Sequence, residues 1–200
     1  MSEVKTNKVS PVGANGTVTL GDSGDTITVP SGVTFANSGT ATGFGKVLQV
    51  VSAVKTNTSS YGGTTFSTTG LEVTITPSAT SSKIFIIATP SIGAHMDNNS
   101  GCCFLRDSTE LNVADAASSR SLWASNAQYQ YNSYNTESHP MTYLDSPSST
   151  SAITYKVAYK MAIINNSSYP YIYLNRGIYD TDNGNYSRSS STITVMEIAG

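Results

Sequence analysis

Charge is scarce in this chain: Asp, Glu, Lys and Arg make up 12% of its 200 residues, about half the usual share, and the net charge is −2. That balance gives no electrostatic case for binding nucleic acid or anionic lipid. Cysteine is limited to the adjacent pair Cys102 and Cys103. A disulfide between sequence neighbours strains the peptide that joins them, so two reduced thiols are expected, as in a chain made and folded in a cytosol. Long apolar runs are missing too. The longest mostly apolar stretch, KVLQVVSAV at residues 46–54, falls far short of a membrane span, and no membrane insertion is expected. The opening MSEVKTNKVSP carries Lys5 and Lys8, but no apolar stretch comes after them as a signal peptide requires.

What fills the chain instead is hydroxyl and amide. Ser and Thr occupy 57 positions, Asn another 15, and Tyr is abundant at 12. A surface made polar in this way suits β-rich extracellular proteins and particle components, and Thr, Tyr and Val favour strands. Residues 1–16 read as a polar arm without periodicity. TVTLGDSGDTITVPSGVTF, residues 17–35, holds three apolar pairs at i, i+2 spacing: Val18 and Leu20, Ile27 and Val29, Val33 and Phe35. Each pair predicts a strand of three or four residues with one apolar face. Three such rungs cannot bury themselves in one chain. Three copies wound about a common axis seal six side chains per layer, the logic of a trimeric β-stalk. The competing reading is a β-hairpin turning at Asp22-Ser23-Gly24-Asp25. NSGTATGFG, residues 37–45, is a linker of small residues that completes a 17–45 stalk-and-linker segment.

From Lys46 onward the strands lengthen. KVLQVVSAV (46–54) and KIFIIATP (83–90) are apolar on both faces, and the former reads as a central strand. LEVTIT (71–76) and AITYKVAYK (152–160) alternate, the latter grouping Ile153, Tyr155, Val157 and Tyr159. CCFL (102–105), YIYL (171–174) and STITVMEI (191–198) complete seven or eight predicted strands, with Ile193 and Val195 facing the core. RDST (106–109) reads as a turn. NVADAASSRSLWASNA (112–127) is the one candidate helix, without a clear apolar stripe. The fold expected is all-β: a short N-terminal stalk, then an antiparallel, jelly-roll-like sandwich head over residues 46–200.

Several of these phrases carry a resemblance. "VKTNKVSP", "TVTLGDSGDTITVPSGVTFANSGTATGFG", "KVLQVV", "LEVTITPSATSSKIFIIATPSIG", "YLDSPSSTSAITYKVAYK", "YLNRG" and "SSSTITVMEIAG" resemble the short fibre proteins of bacteriophages, especially those of marine cyanobacteria and related ocean bacteria. The likeness spans nearly the whole chain and is weakest between about 112 and 140. It implies a homotrimeric, noncatalytic virion fibre assembled in the host cytoplasm. Its arm would dock on other virion proteins and its jelly-roll head would attach to a host cell-surface glycan or protein. It carries over no catalytic or binding residue. Tail fibres commonly begin with a sizeable docking module, and here the short arm stands in its place. A capsid fibre or decoration protein is therefore an alternative, and a small polysaccharide-degrading tailspike is another.

Chemistry-bearing patterns are sparse. Cys102 or Cys103 with His95 or His139 has no spacing that supports nucleophilic catalysis. His95 and Asp97 offer two metal ligands without a third. YDTDNGNY, residues 179–186, superficially resembles a calcium loop, but Gly184 sits where a ligand belongs and Ser191 where the closing Glu belongs. Asp180 and Asp182 lie too close in sequence to argue for glycosidase carboxylates. No catalytic residue, metal or cofactor is expected. WASNAQYQYNSYNTESHPMTY, residues 123–143, is the most suggestive stretch. Trp123, Tyr129, Tyr131, Tyr134 and Tyr143 alternate with amides and hydroxyls, the composition of an exposed loop that stacks on sugar C–H faces and hydrogen-bonds their hydroxyls. Tyr129, Tyr131, Tyr134 and Trp123 are the receptor-binding candidates, with Trp123 the one most suited to packing.

Overall fold

In the computed structural model of the protein, residues 9, 11, 17–34, 46–126 and 135–200 are described. The chain divides into two compact units, Met1–Phe44 and Gly45–Gly200.

The N-terminal unit has turns but no strands among its described residues. The Asp25 amide donates to the Asp22 carbonyl (3.0 Å), the Asp22 amide to Asp25 Oδ2 (2.7 Å), and the Val33 amide to the Pro30 carbonyl (3.2 Å). Gly21, Gly24 and Gly32 take φ of +78°, +98° and +85°, left-handed values that glycine adopts without strain. Val18, Leu20, Ile27, Val29 and Val33 are all 41–66% exposed. Phe35 lies outside the described residues. The turn of the competing hairpin is thus present without paired strands beside it. A three-residue rung forms a ladder only where a neighbouring strand supplies partners, and no such strand pairs with these residues among the described ones.

Among its described residues the head has thirteen strands: β1 (Val47–Lys55), β2 (Ser59–Tyr61), β3 (Ser67–Ile75), β4 (Lys83–Thr89), β5 (Ser91–Ala94), β6 (Asn99–Arg106), β7 (Thr109–Leu111), β8 (Ser125–Asn126), β9 (Glu137–Ser138), β10 (Met141–Asp145), β11 (Ile153–Ile163), β12 (Ile172–Leu174) and β13 (Ser191–Ile198). A front sheet runs β1-β13-β4-β10, a back sheet β3-β11-β6-β7 with β8 on β6, and a short sheet β2-β12-β5-β9. Every strand pair is antiparallel. The period-two pattern sorts each strand's side chains between faces. Leu71, Val73 and Ile75, then Tyr155, Val157, Tyr159 and Met161, then Cys102 and Phe104, line the back sheet's inner face. Ile84, Ile86, Ala88, Ile193 and Val195 line the front sheet's, and the two sets form one core with Ile92, Ile172 and Leu174 of the short sheet. Burying each of these aliphatic side chains stabilises the fold by about 1.5–3 kcal/mol.

Buried polar groups are tied across the sheets. Asp145 accepts two bonds from Arg106 (2.9 and 3.0 Å) and one from the Tyr155 hydroxyl (2.7 Å). The buried Glu197 accepts from Gln49 Nε2 (2.6 Å), the Ser78 amide and hydroxyl (both 2.7 Å) and the Ser82 hydroxyl (2.7 Å). Burial pushes its carboxyl up, but these donors overrule that and hold it at about 2.

The sequence expectations need three corrections. Strands outnumber the seven or eight expected: β2, β7, β8 and β9 are too short to show a period, and β5 and β10 were not expected either. No helix occurs among the described residues of 112–127, whose Ser and Asp content favours the irregular path seen. KVLQVVSAV is not a central strand: among the described residues β1 is the edge of the front sheet and pairs only with β13. STITVMEI lies inside that sheet, between β1 and β4, with Ile193 and Val195 fully buried as expected.

Candidate functional site

Asn175 closes β12 and clamps the start of the long loop after it. Its φ of +62° turns the chain, and its buried side chain donates to the Lys55 and Asn57 carbonyls (2.8 and 3.0 Å) while accepting from Ser191 Oγ (2.5 Å). The chain between β12 and β13 then makes a loop whose arms meet at an Arg176–Arg188 bridge. Ser189 anchors the return arm, donating from its amide to Asn175 O (3.1 Å) and from its hydroxyl to Ser91 (2.8 Å). Within the loop, the Asn185 amide donates to Asn183 Oδ1 (2.9 Å) and the Tyr186 amide to Asn183 O (3.0 Å). YDTDNGNY is therefore the turn-rich loop its composition suggests.

This loop encloses an open cleft of about 330 Å³, lined by Tyr179, Asp180, Thr181, Asp182, Asn183, Tyr186, Ser187 and Arg188. Arg188 is held against Asp180 by Nε (3.0 Å) and a second, shorter contact through Nη2. Both groups are substantially exposed, so the pair adds little stability and serves chiefly to fix the guanidinium. One wall continues into a line of rings. Tyr186 stands edge-on to Tyr179 (6.0 Å between centroids), Tyr179 edge-on to Tyr169 (5.5 Å), and Tyr169 stacks on His95 (5.1 Å, 5° between planes). The Tyr169 and Tyr179 hydroxyls lie 2.7 Å apart. Aromatic faces beside a carboxylate, a guanidinium, an amide and hydroxyls are the groups that recognise a polyhydroxylated ligand.

Tyr129, Tyr131 and Tyr134 lie outside the described residues. The chain beyond them re-enters at this site: Ser187 Oγ, in the cleft lining, donates to Asn135 Oδ1 (3.5 Å), and the Thr136 and Ser189 hydroxyls lie 3.1 Å apart. Trp123 is elsewhere, half-buried against β6. A Cβ on Gly101 would meet its ring at 2.4 Å, and the Lys160 ammonium lies 5.5 Å from the ring centroid. Tyr143 packs partly buried against the core.

The other sequence candidates remain apart. His95 Nδ1 lies 3.4 Å from Asp97, and among the described residues no group of three or more His, Cys, Asp or Glu is placed to hold a metal ion. Cys102 and Cys103 are free and buried, and alternate between core and outer face. Burial pushes the Cys102 thiol up to about 12 and raises Cys103 further, the reverse of an activated nucleophile. Burial lowers the pKa of His139. The sequence reading weighs YDTDNGNY for its carboxylates and passes over Tyr179, Tyr186 and Arg188. The signal is two tyrosines inside a turn-rich segment, the same composition that draws notice to residues 123–143. Comparison of the sequence with protein-family models and with curated proteins returned no match.

Proposed function

We propose that the chain is a homotrimeric virion fibre of the short bacteriophage type, noncatalytic and tail-fibre-like, in which a jelly-roll-like head attaches to the host surface. Residues 1–16 are its attachment arm on the virion, 17–45 its stalk and linker, and 46–200 its head. The observation that carries this reading is the exposure of all five described apolar residues of the N-terminal pairs. A polar chain retains such pairs where something covers them, and closed threefold symmetry covers them with copies of themselves. Pairing of the head's first strand, β1, with its last, β13, supports the jelly-roll-like reading.

The cleft at 179–188, whose Ser187 bonds to Asn135, is the proposed attachment site. Its ligand is a cell-surface glycan or a protein loop of similar polarity. One cleft offers little area, so affinity per head is modest, and three heads on one axis raise it by avidity. Two sets of variants test the reading in adsorption to host cells: Tyr179→Ser with Tyr186→Ser, and Tyr129, Tyr131 and Tyr134 all to Ser. Weaker adsorption by well-folded trimers is expected. Undiminished adsorption by both sets would remove the attachment role and leave a structural fibre of the particle.

A further inference from the structure

The front sheet has a second face, and it is apolar. Partners in antiparallel register point to the same side of a sheet. Val50 is opposite Met196, Met196 opposite Phe85, and Phe85 opposite Leu144. These four residues form an unbroken row across all four strands, on the side away from the core. Val50 is 57% exposed and Leu144 49%, with Met196 and Phe85 partly buried by their neighbours alone. The next row, Ser52, Thr194, Ile87 and Thr142, carries no charge. Leu48 and Val54 of β1 extend the apolar surface along the edge, both exposed. Lys83, at the end of β4, is the one charged residue on this face of the four strands. Strands apolar on both faces belong to sheets covered on both faces, and here the described residues cover one.

We propose that this face is the subunit interface of the head, and that a second copy of the same chain covers it. The proposal rests on the trimer reading above and adds the surface through which the heads meet. The identity of the occupant comes from the chain's continuity. The N-terminal unit, whose own apolar pairs are uncovered, ends at Phe44, and β1 begins at Val47. From Phe35, the last member of those pairs, eleven residues of largely small side chains lead to Val47. Twelve peptide steps of at most about 3.6 Å each reach no further than about 43 Å. Copies joined at the N-terminal pairs therefore hold their β1 strands close together. Tethers of this kind raise effective concentration to the order of millimolar, so a face of modest area is filled by its own copies ahead of a foreign partner.

The test is methionine oxidation of the full chain by dilute peroxide, read by peptide mass mapping alongside the mass of the assembly. Met196 reports the face. Met141 and Met161 are buried in the core and report whether the head stays folded. The variant is Val50→Asp with Leu144→Asp, two exposed positions where a charge is tolerated by a single head. The expected result is a wild-type trimer with Met196 protected, and a variant that remains trimeric through its N-terminal pairs. In the variant Met196 oxidises several-fold faster, while Met141 and Met161 stay unreactive. A wild-type trimer whose Met196 reacts as fast as the variant's overturns the interface and leaves the stalk intact. A monomeric wild type overturns the trimer reading and this proposal with it, and a Met196 protected in that monomer places the cover within the chain itself.

Discussion

The two sheets of the sandwich share one core, yet their outer faces are unlike. Across the back sheet the register sets Glu72, Lys156, Leu105 and Glu110 in one row. The corresponding row of the front sheet is Val50, Met196, Phe85 and Leu144. Where the back face is apolar, around Cys103, Leu105 and Ala158, the chain covers it with Phe66, Val113 and Ala124. The Lys160 ammonium lies over the Phe66 ring, 4.1 Å from its centroid, and adds a cation–π contact to that cover. No such cover crosses the front face among the described residues. The chain can furnish a lid for its own sheet, as residues 112–126 do for the back one. A bare apolar row on the other sheet is therefore a feature of the molecule to be explained by what meets it.

The largest effect separates the two sides of a single strand. Ile86 and Phe85 are neighbours on β4, one fully buried in the core and the other on the outer row. Ile86→Asp puts an unpaired carboxylate into the core and should cost roughly 4–5 kcal/mol or unfold the head outright, seen as loss of the thermal transition. Phe85→Asp should leave a folded head at low protein concentration and weaken association instead. Equal loss of folding from both would make the outer row part of a core that one chain already completes.

A second, smaller effect comes from the end of the front sheet. Glu197→Ala deprives the Ser78 and Ser82 donors of their acceptor and should cost roughly 3 kcal/mol in denaturant melts. The folded carboxyl is held at about 2, below its ordinary 4.5. Its contribution is thus complete above pH 4.5 and is lost as pH falls from there toward 2. The wild type should therefore lose stability through that window, and Glu197→Ala should lose less of it.

The smallest effect belongs to the back row. Lys156 pairs across strands with Glu72 at the surface, so Lys156→Ala should shift stability by about 1 kcal/mol or less, independent of protein concentration. A concentration-dependent melt in that variant would move the interface to the back sheet.

How far the sequence carried depended on strand length and on what lay on the other side. The alternating AITYKVAYK and LEVTIT became β11 and β3 with their expected faces inward, because a period of two over several residues leaves one register. STITVMEI was legible for the same reason. β2, β8 and β9 were not, since two or three residues carry no period and form only where a longer strand offers its edge. KVLQVVSAV misled in an instructive way: two apolar faces read as the centre of a sheet, whereas β1 is an edge strand whose outer face is uncovered. The cleft was half legible. Its tyrosines stood in the sequence, but their convergence with Tyr169 and His95 depends on the Asn175 clamp, which joins residues far apart in the chain.

Trimeric assembly is tested most directly by the mass of the full chain in solution. Sedimentation equilibrium over a range of concentrations should give three times the 21.0 kDa of one chain, and Ile27→Asp with Val29→Asp should lower that mass. A wild-type species of 21.0 kDa at every concentration would contradict it, because both apolar surfaces would then face water in a stable protein.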